Sequence, residues 1–215
     1  AVQPGTVLVS ATGPTRDLLT AERTALNLLG HLSGVASITR QWVDAIAGTG
    51  AAIRDTRKTT PGLRELEKFA VRCGGGRNHR MSLSDAALVK DNHVVAAGGV
   101  RQAFEAVRQQ WPDLAIEVEV DSLEQLAEVL DAGADLVLLD NMDPAMTKQA
   151  VALTAGRATL ESSGGLTLDR ARAYAETGVD YLSVGALTHS APVLDIGGDL
   201  RSPQSSTDPA TARER

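Results

Sequence analysis

The chain has 215 residues, a net charge of −6 and one cysteine, Cys73. That length suits one domain, or one with a remnant of another, and a lone cysteine excludes an internal disulfide framework or a multi-cysteine zinc site. The acidic balance argues against a phosphate-backbone binder, and 3% aromatic residues argue against stacking single-stranded nucleic acid, so no nucleic-acid partner is expected.

Hydrophobic residues make up 43% of the chain but aromatic ones only 3%, so an aliphatic core of Ala, Val, Leu and Ile is expected. No apolar run reaches the roughly 18–20 residues of a membrane span. No basic stretch leads into an apolar one as in a signal peptide, and a cytoplasmic protein is expected.

In chain order, residues 7–11 read as a short strand. Residues 20–47 follow as a long helix with Thr20 as its N-cap, its apolar face loosened by Gly30 and Gly34. Residues 51–55 read as a strand, and 61–72 as a helix with Pro61 at its first position. After Gly74-Gly75-Gly76 come a short apolar segment at 86–90 and an amphipathic helix at 100–111. From there strands at 114–120, 136–139, 159–161 and 181–184 alternate with helices at 122–132, 144–154 and 168–176. Alternation with about 20 residues per unit implies a parallel sheet, and the strands read as apolar runs buried on both faces. Residues 201–215 carry no periodicity and are expected to form a disordered tail.

Residues 54–90 hold nine of the 21 Lys and Arg. Such asymmetry suggests an anionic ligand. Arg64, Lys68 and Arg72 sit four apart and are expected on a solvated helix face. Arg57, Lys58, Arg80 and Lys90 instead fall in loops and at strand ends, where guanidinium forks and ammonium groups suit carboxylates. His79 beside Arg80 reads equally well as structural or catalytic.

The strands finish on polar residues, and in a parallel barrel those ends form the active-site face. Asp121 is assigned to helix capping. Glu119 and Asp140 each close an apolar run and are the better functional candidates. Ser162-Ser163-Gly164-Gly165 and Ser183-Val184-Gly185-Ala186 each follow a strand and precede a helix. They read as phosphate cradles, with simple turn chemistry as the alternative.

The stretches DTRKT, GGGRNHR, KDNH, EVEVDSLEQL, LVLLDN and LESSGG occur in order. With TAERTALNLLGHLSG and YLSVGALTHSAPVLDIG, they closely resemble the quinolinate phosphoribosyltransferase family over about residues 1–200. The resemblance implies an open parallel α/β barrel, TIM-like, at residues 31–192. It places a remnant of an N-terminal α/β sandwich domain and its linking helix at 1–30, and a C-terminal segment with the tail at 193–215. Family members carry most of a sandwich domain before the point matching Ala1, so the chain is expected to be truncated there.

The implied reaction moves phosphoribosyl from phosphoribosyl pyrophosphate to quinolinate with decarboxylation, giving nicotinate mononucleotide for NAD biosynthesis. By the resemblance, Arg57, Lys58, His79, Arg80 and Lys90 line the quinolinate pocket, and Arg23 reaches a partner subunit's site. Glu119 and Asp140 stand near the ribose and a Mg2+ ion and, with Lys58 and Lys90, form the catalytic set. Ser163, Gly164, Gly185 and His189 meet phosphate. A homodimer, or a hexamer of dimers, is implied. The alternative is a barrel of the same fold that binds a phosphorylated metabolite without turnover, or takes nicotinate.

Overall fold

The computed structural model describes residues 2–201; the tail expected at 201–215 lies almost wholly outside them. A 31-residue helix, α1 (Thr15–Ala45), leads into β1 (Ala52–Arg54), α2 (Arg64–Cys73), β2 (Ala87–Val89), α3 (Asp91–Ala97) and α4 (Val100–Gln110). Then come β3 (Ile116–Val120), α5 (Leu123–Asp131), β4 (Leu136–Asp140), α6 (Pro144–Thr154) and β5 (Thr159–Ser163). A 3-10 turn, α7 (Ala171–Ala175), β6 (Tyr181–Ser183) and α8 (Ala186–His189) complete the series. The six strands form one sheet in the order β1-β6-β5-β4-β3-β2, every pair parallel. The sheet curls as an open barrel, with β1 and β2 as its two edges and no ladder joining them. The expected fold class is the one observed.

Strand alternation sorts the side chains into two populations. Val118, Val120, Val137, Leu139, Leu160 and Leu182 belong to the hydrophobic core packed beneath the helices. Glu117, Glu119, Asp140, Glu161, Ser163 and Arg54 have the opposite parity. The strands are therefore not apolar on both faces, as expected, but carry a polar set on the inner one. At the C-terminal ends of the strands this polar set opens on the face where a parallel barrel forms its site.

Several local expectations are corrected. Residues 7–11 form no strand, and Val7 and Val9 are 67% and 75% exposed, because no ladder partner lies beside them among the described residues. Helix α1 begins after Pro14, and the Thr20 hydroxyl donates back to the Arg16 carbonyl at 2.7 Å instead of capping. Pro61 sits in a turn before α2, not at its first position. Ser122, not Asp121, caps α5, its hydroxyl accepting the Gln125 N–H. Helices α3 and α8 were not anticipated; both are too short to show a period.

The segment after α8 runs along α1 without regular structure. Leu194 N–H donates to the Gly30 carbonyl at 3.1 Å. A Cβ placed on Gly34 would stand 1.9 Å from the Pro192 carbonyl oxygen, so only glycine admits this approach. The two glycines that loosen the helical pattern are the seat of this strap.

Candidate active site

The loop after β1 and the segment 78–80 are organised by one buried ion pair. Asp55 and Lys68 are both fully buried and directly bonded. Asp55 also accepts from Asn78 Nδ2 at 2.5 Å and from the His79 N–H at 2.8 Å. Lys68 Nζ donates in addition to the His79 carbonyl at 3.0 Å. Burial pulls the Lys68 ammonium pKa below its ordinary value against the opposing pull of Asp55. Lys68 was expected on a solvated face with Arg64 and Arg72, and that expectation fails. Of the three, only Arg72 is exposed, while Arg64 reaches back to Thr59 Oγ1 and the Met81 carbonyl.

His79 lies inside the barrel mouth with both ring nitrogens engaged. Nδ1 accepts the Arg80 N–H at 2.7 Å, and Nε2 stands 2.6 Å from Glu117 Oε2 and 3.5 Å from Glu161 Oε1. Arg54 NH1 donates to Glu161 Oε2 at 2.5 Å, and its guanidinium lies 4.5 Å from the centre of the Tyr181 ring. Burial, and then the Glu117 charge, push the Glu161 carboxyl above the ordinary glutamate range despite Arg54 and His79.

Cations gather above this layer. Arg80 NH1 donates to the Ala86 carbonyl at 3.0 Å, and burial followed by the nearby Arg57 charge lowers its pKa. Arg57, Lys58 and Arg80 have no acidic partner among the described residues. Lys90 at the end of β2 pairs with Glu119 Oε2 at 2.6 Å. His93 Nδ1 accepts the Lys90 N–H at 2.9 Å, which fixes Lys90 at the start of α3 and accounts for the KDNH spacing.

The late loops close the same rim. The Lys58 carbonyl accepts from Thr188 Oγ1 at 2.8 Å. A Cβ on Gly185 would lie 3.1 Å from His189 Nε2 and 3.2 Å from Lys58 Cδ. Gly164 has φ +92°, and a Cβ there would meet Asn141 Oδ1 at 2.2 Å. The Asn141 N–H donates to the Ser163 carbonyl at 2.9 Å, and Asn141 Nδ2 to Asp140 Oδ2 at 2.6 Å. The structure thus joins Arg57 to Arg80, Lys58 to Gly185 and His189, Lys90 to Glu119, and Ser163 and Gly164 to Asp140 through Asn141. Arg23 stands apart, exposed on α1 with no ion pair among the described residues.

Four residues of this constellation are not among the site candidates named from the sequence: Asp55 and Glu161 read there only as polar strand ends, Lys68 as a surface residue, and Glu117 not at all. For Glu117 a signal existed, since Glu117 and Glu119 alternate in the run IEVEV and must share a strand face. For Lys68 there was none, as its i, i+4 neighbours are those of an ordinary surface helix.

Among the described residues no helix is long and apolar enough to cross a membrane. The family model described as quinolinate phosphoribosyl transferase, C-terminal domain, matches residues 35–199, and that of the N-terminal domain matches residues 1–33. The nicotinate-nucleotide pyrophosphorylase (carboxylating) of Mycobacterium leprae is 57% identical over 202 residues, covering 93% of this chain and 71% of that protein. A probable counterpart in Bacillus subtilis is 46% identical over 197 residues, covering 91% of this chain and 68% of that protein. The crystal structure of NadC from Streptococcus pyogenes superposes with a TM-score of 0.82 at 48% identity, covering 85% of this chain and 65% of its own. The chain therefore spans about two-thirds of the length of such relatives. With the open parallel barrel, the cationic rim and both domain matches in sequence order, the chain belongs to the quinolinate phosphoribosyl transferase family.

Proposed function

We propose that this chain carries the barrel and active site of an enzyme that transfers phosphoribosyl from phosphoribosyl pyrophosphate to quinolinate. The products are nicotinate mononucleotide, pyrophosphate and carbon dioxide. The observation that carries the reading is the set Arg57, Lys58 and Arg80, three cations at the barrel mouth that form no ion pair among the described residues. Like charges gathered without direct ion pairs are costly unless an anion joins them. Quinolinate brings two carboxylates, and Arg forks with Lys point charges suit both. Lys90 adds a fourth cation, and His79 borders the pocket.

Held this way, the pyridine nitrogen is aimed at the ribose C1′, which is catalysis by positioning. The bond from C1′ to pyrophosphate breaks as the C1′–N bond forms, and positive charge grows on the ribose. Glu119 and Asp140, at the C-terminal ends of neighbouring strands, stabilise that charge. Lys58 stands where Gly185 and His189 meet it, at the phosphate end of the rim with Ser163 and Gly164.

Mg2+ fits this rim. Glu119 and Asp140 each use one oxygen, towards Lys90 and Asn141, which leaves the other for a cation. Mg2+ is ordinarily held by one or two carboxylates together with substrate phosphates. When bound, it would neutralise charge on the departing pyrophosphate. A homodimer in which Arg23 serves the neighbouring site, or a hexamer of such dimers, completes the reading.

The test is to incubate the chain with quinolinate, phosphoribosyl pyrophosphate and Mg2+ and to measure nicotinate mononucleotide. Product formed from quinolinate and not from nicotinate supports the reading. Binding without product would make this a binding barrel, and turnover of nicotinate alone would reassign the substrate.

A further inference from the structure

Every polar group of His79 is committed within the protein. Its N–H goes to Asp55, its carbonyl receives Lys68, Nδ1 accepts from Arg80 and Nε2 faces Glu117. A backbone N–H can only donate, so Nδ1 carries a lone pair. The remaining ring proton therefore sits on Nε2, and it is given to Glu117, which is 1% exposed. Glu117 is itself backed by Glu161, whose other oxygen is held by Arg54.

His79, Glu117 and Glu161 offer one atom each within 4.8 Å of one another, as a metal site would. Arg54 holds Glu161 Oε2 and the His79 proton engages Glu117 Oε2, while Glu117 Oε1 and Glu161 Oε1 are buried without a hydrogen-bond partner among the described residues.

The geometry points to Glu117 as a positioning residue for substrate carboxylate recognition: it fixes the His79 tautomer, and His79 in turn holds the Arg80 backbone so that the Arg80 guanidinium faces Arg57. This inference rests on the quinolinate reading above for the identity of the carboxylate, but not for the relay itself. Arg80 is anchored at two points, its N–H on His79 Nδ1 and its NH1 on the Ala86 carbonyl. Releasing the first lets the guanidinium drift away from Arg57, the direction in which like charges push it. His79 acts here through Arg80 and offers the ligand no ring nitrogen of its own.

The experiment compares the wild type with Glu117→Gln and Glu117→Leu. The glutamine oxygen can still accept the Nε2 proton, while leucine fills the space and cannot. Three readouts are taken: the His79 tautomer from nitrogen-15 imidazole shifts, hydrogen exchange at the Arg80 amide, and calorimetric affinity for quinolinate and for phosphoribosyl pyrophosphate. Expected in the wild type are a neutral His79 protonated on Nε2 and a protected Arg80 amide. Glu117→Gln keeps both, with quinolinate affinity within about threefold of the wild type. In Glu117→Leu the Arg80 amide loses protection and quinolinate binds at least about tenfold more weakly, the scale of one orphaned buried partner, while phosphoribosyl pyrophosphate binding is unchanged.

A wild-type His79 protonated on Nδ1 or doubly protonated overturns the inference even if the leucine variant fails to fold. So does a leucine variant with a protected Arg80 amide and full affinity, or a wild type that takes up Zn2+ or Mn2+ at this cluster with loss of the Nε2 proton. A wild type that shows the tautomer and the protected amide but binds no quinolinate upholds the relay and removes the substrate.

Discussion

The buried pair Lys68–Asp55 gives the sharpest test of how the site is built. Lys68→Met keeps the length and most of the volume of the side chain, so little cavity is created. What remains is Asp55, 0% exposed, still accepting from Asn78 and the His79 N–H but with its counter-charge gone. Breaking a buried pair by removing one partner costs about 3–5 kcal/mol. At an m-value of about 2 kcal/mol per molar urea, that lowers the unfolding midpoint by about 1.5–2.5 M. Tryptophan fluorescence reads the transition, because Trp42 is 3% exposed and reports the core while Trp111 is 58% exposed and does not. Adding Asp55→Asn to Lys68→Met removes the stranded charge, and the double variant is expected to recover about 1–2 kcal/mol relative to additivity. A loss below about 1 kcal/mol in Lys68→Met, the range of an exposed ion pair, would refute the argument that this pair holds the 78–80 segment in place.

Arg80→Ala is expected to weaken quinolinate binding by about 2–4 kcal/mol with far less effect on phosphoribosyl pyrophosphate, and unchanged affinity in calorimetry removes Arg80 from the pocket. Asp140→Asn keeps the shape and removes the charge, so turnover should fall about 100-fold or more while quinolinate affinity holds; survival within about twofold makes Asp140 a structural residue. The raised carboxyl of Glu161 means that the folded state holds its proton more tightly than the unfolded chain. Its contribution to stability is complete below the ordinary glutamate pKa and is lost as pH rises through the folded value, so Glu161→Gln should flatten the wild-type decline above about pH 4.5 in urea titrations. Chains with Arg23→Ala and Lys90→Ala, each inactive alone, should recover about a quarter of wild-type activity after random subunit exchange, and a mixture that stays inactive after demonstrated exchange places Arg23 outside a shared site.

The barrel was legible because its evidence is repeated: several strand–helix units with the same period leave few other architectures. The cationic rim was legible because Arg57, Lys58, Arg80 and Lys90 fall where helices do not. The layer beneath it was not. Lys68 shows the four-residue spacing of a solvated helix face, and only the pairing with Asp55, 13 positions away, tells it from one. Glu161 was noticed as a strand end but not as a buried acid, because its cationic partner Arg54 lies 107 positions distant. The failed strand at residues 7–11 is the converse case: β-branched residues favour extended backbone, but a strand exists only beside a neighbour.

The strap across α1 has a consequence for the order in which the chain is made. The glycine seat at positions 30 and 34 leaves the ribosome well before its occupant, residues 192–194. At synthesis rates of about 5–20 residues per second, the intervening ~160 residues take roughly 10–30 s. For that interval the helix carries a bare notch that the backbone of residues 192–194 has yet to fill. Seating of the strap on α1 is thus a late event of biogenesis, even though α1 can pack on α2 and β1 as soon as they follow it.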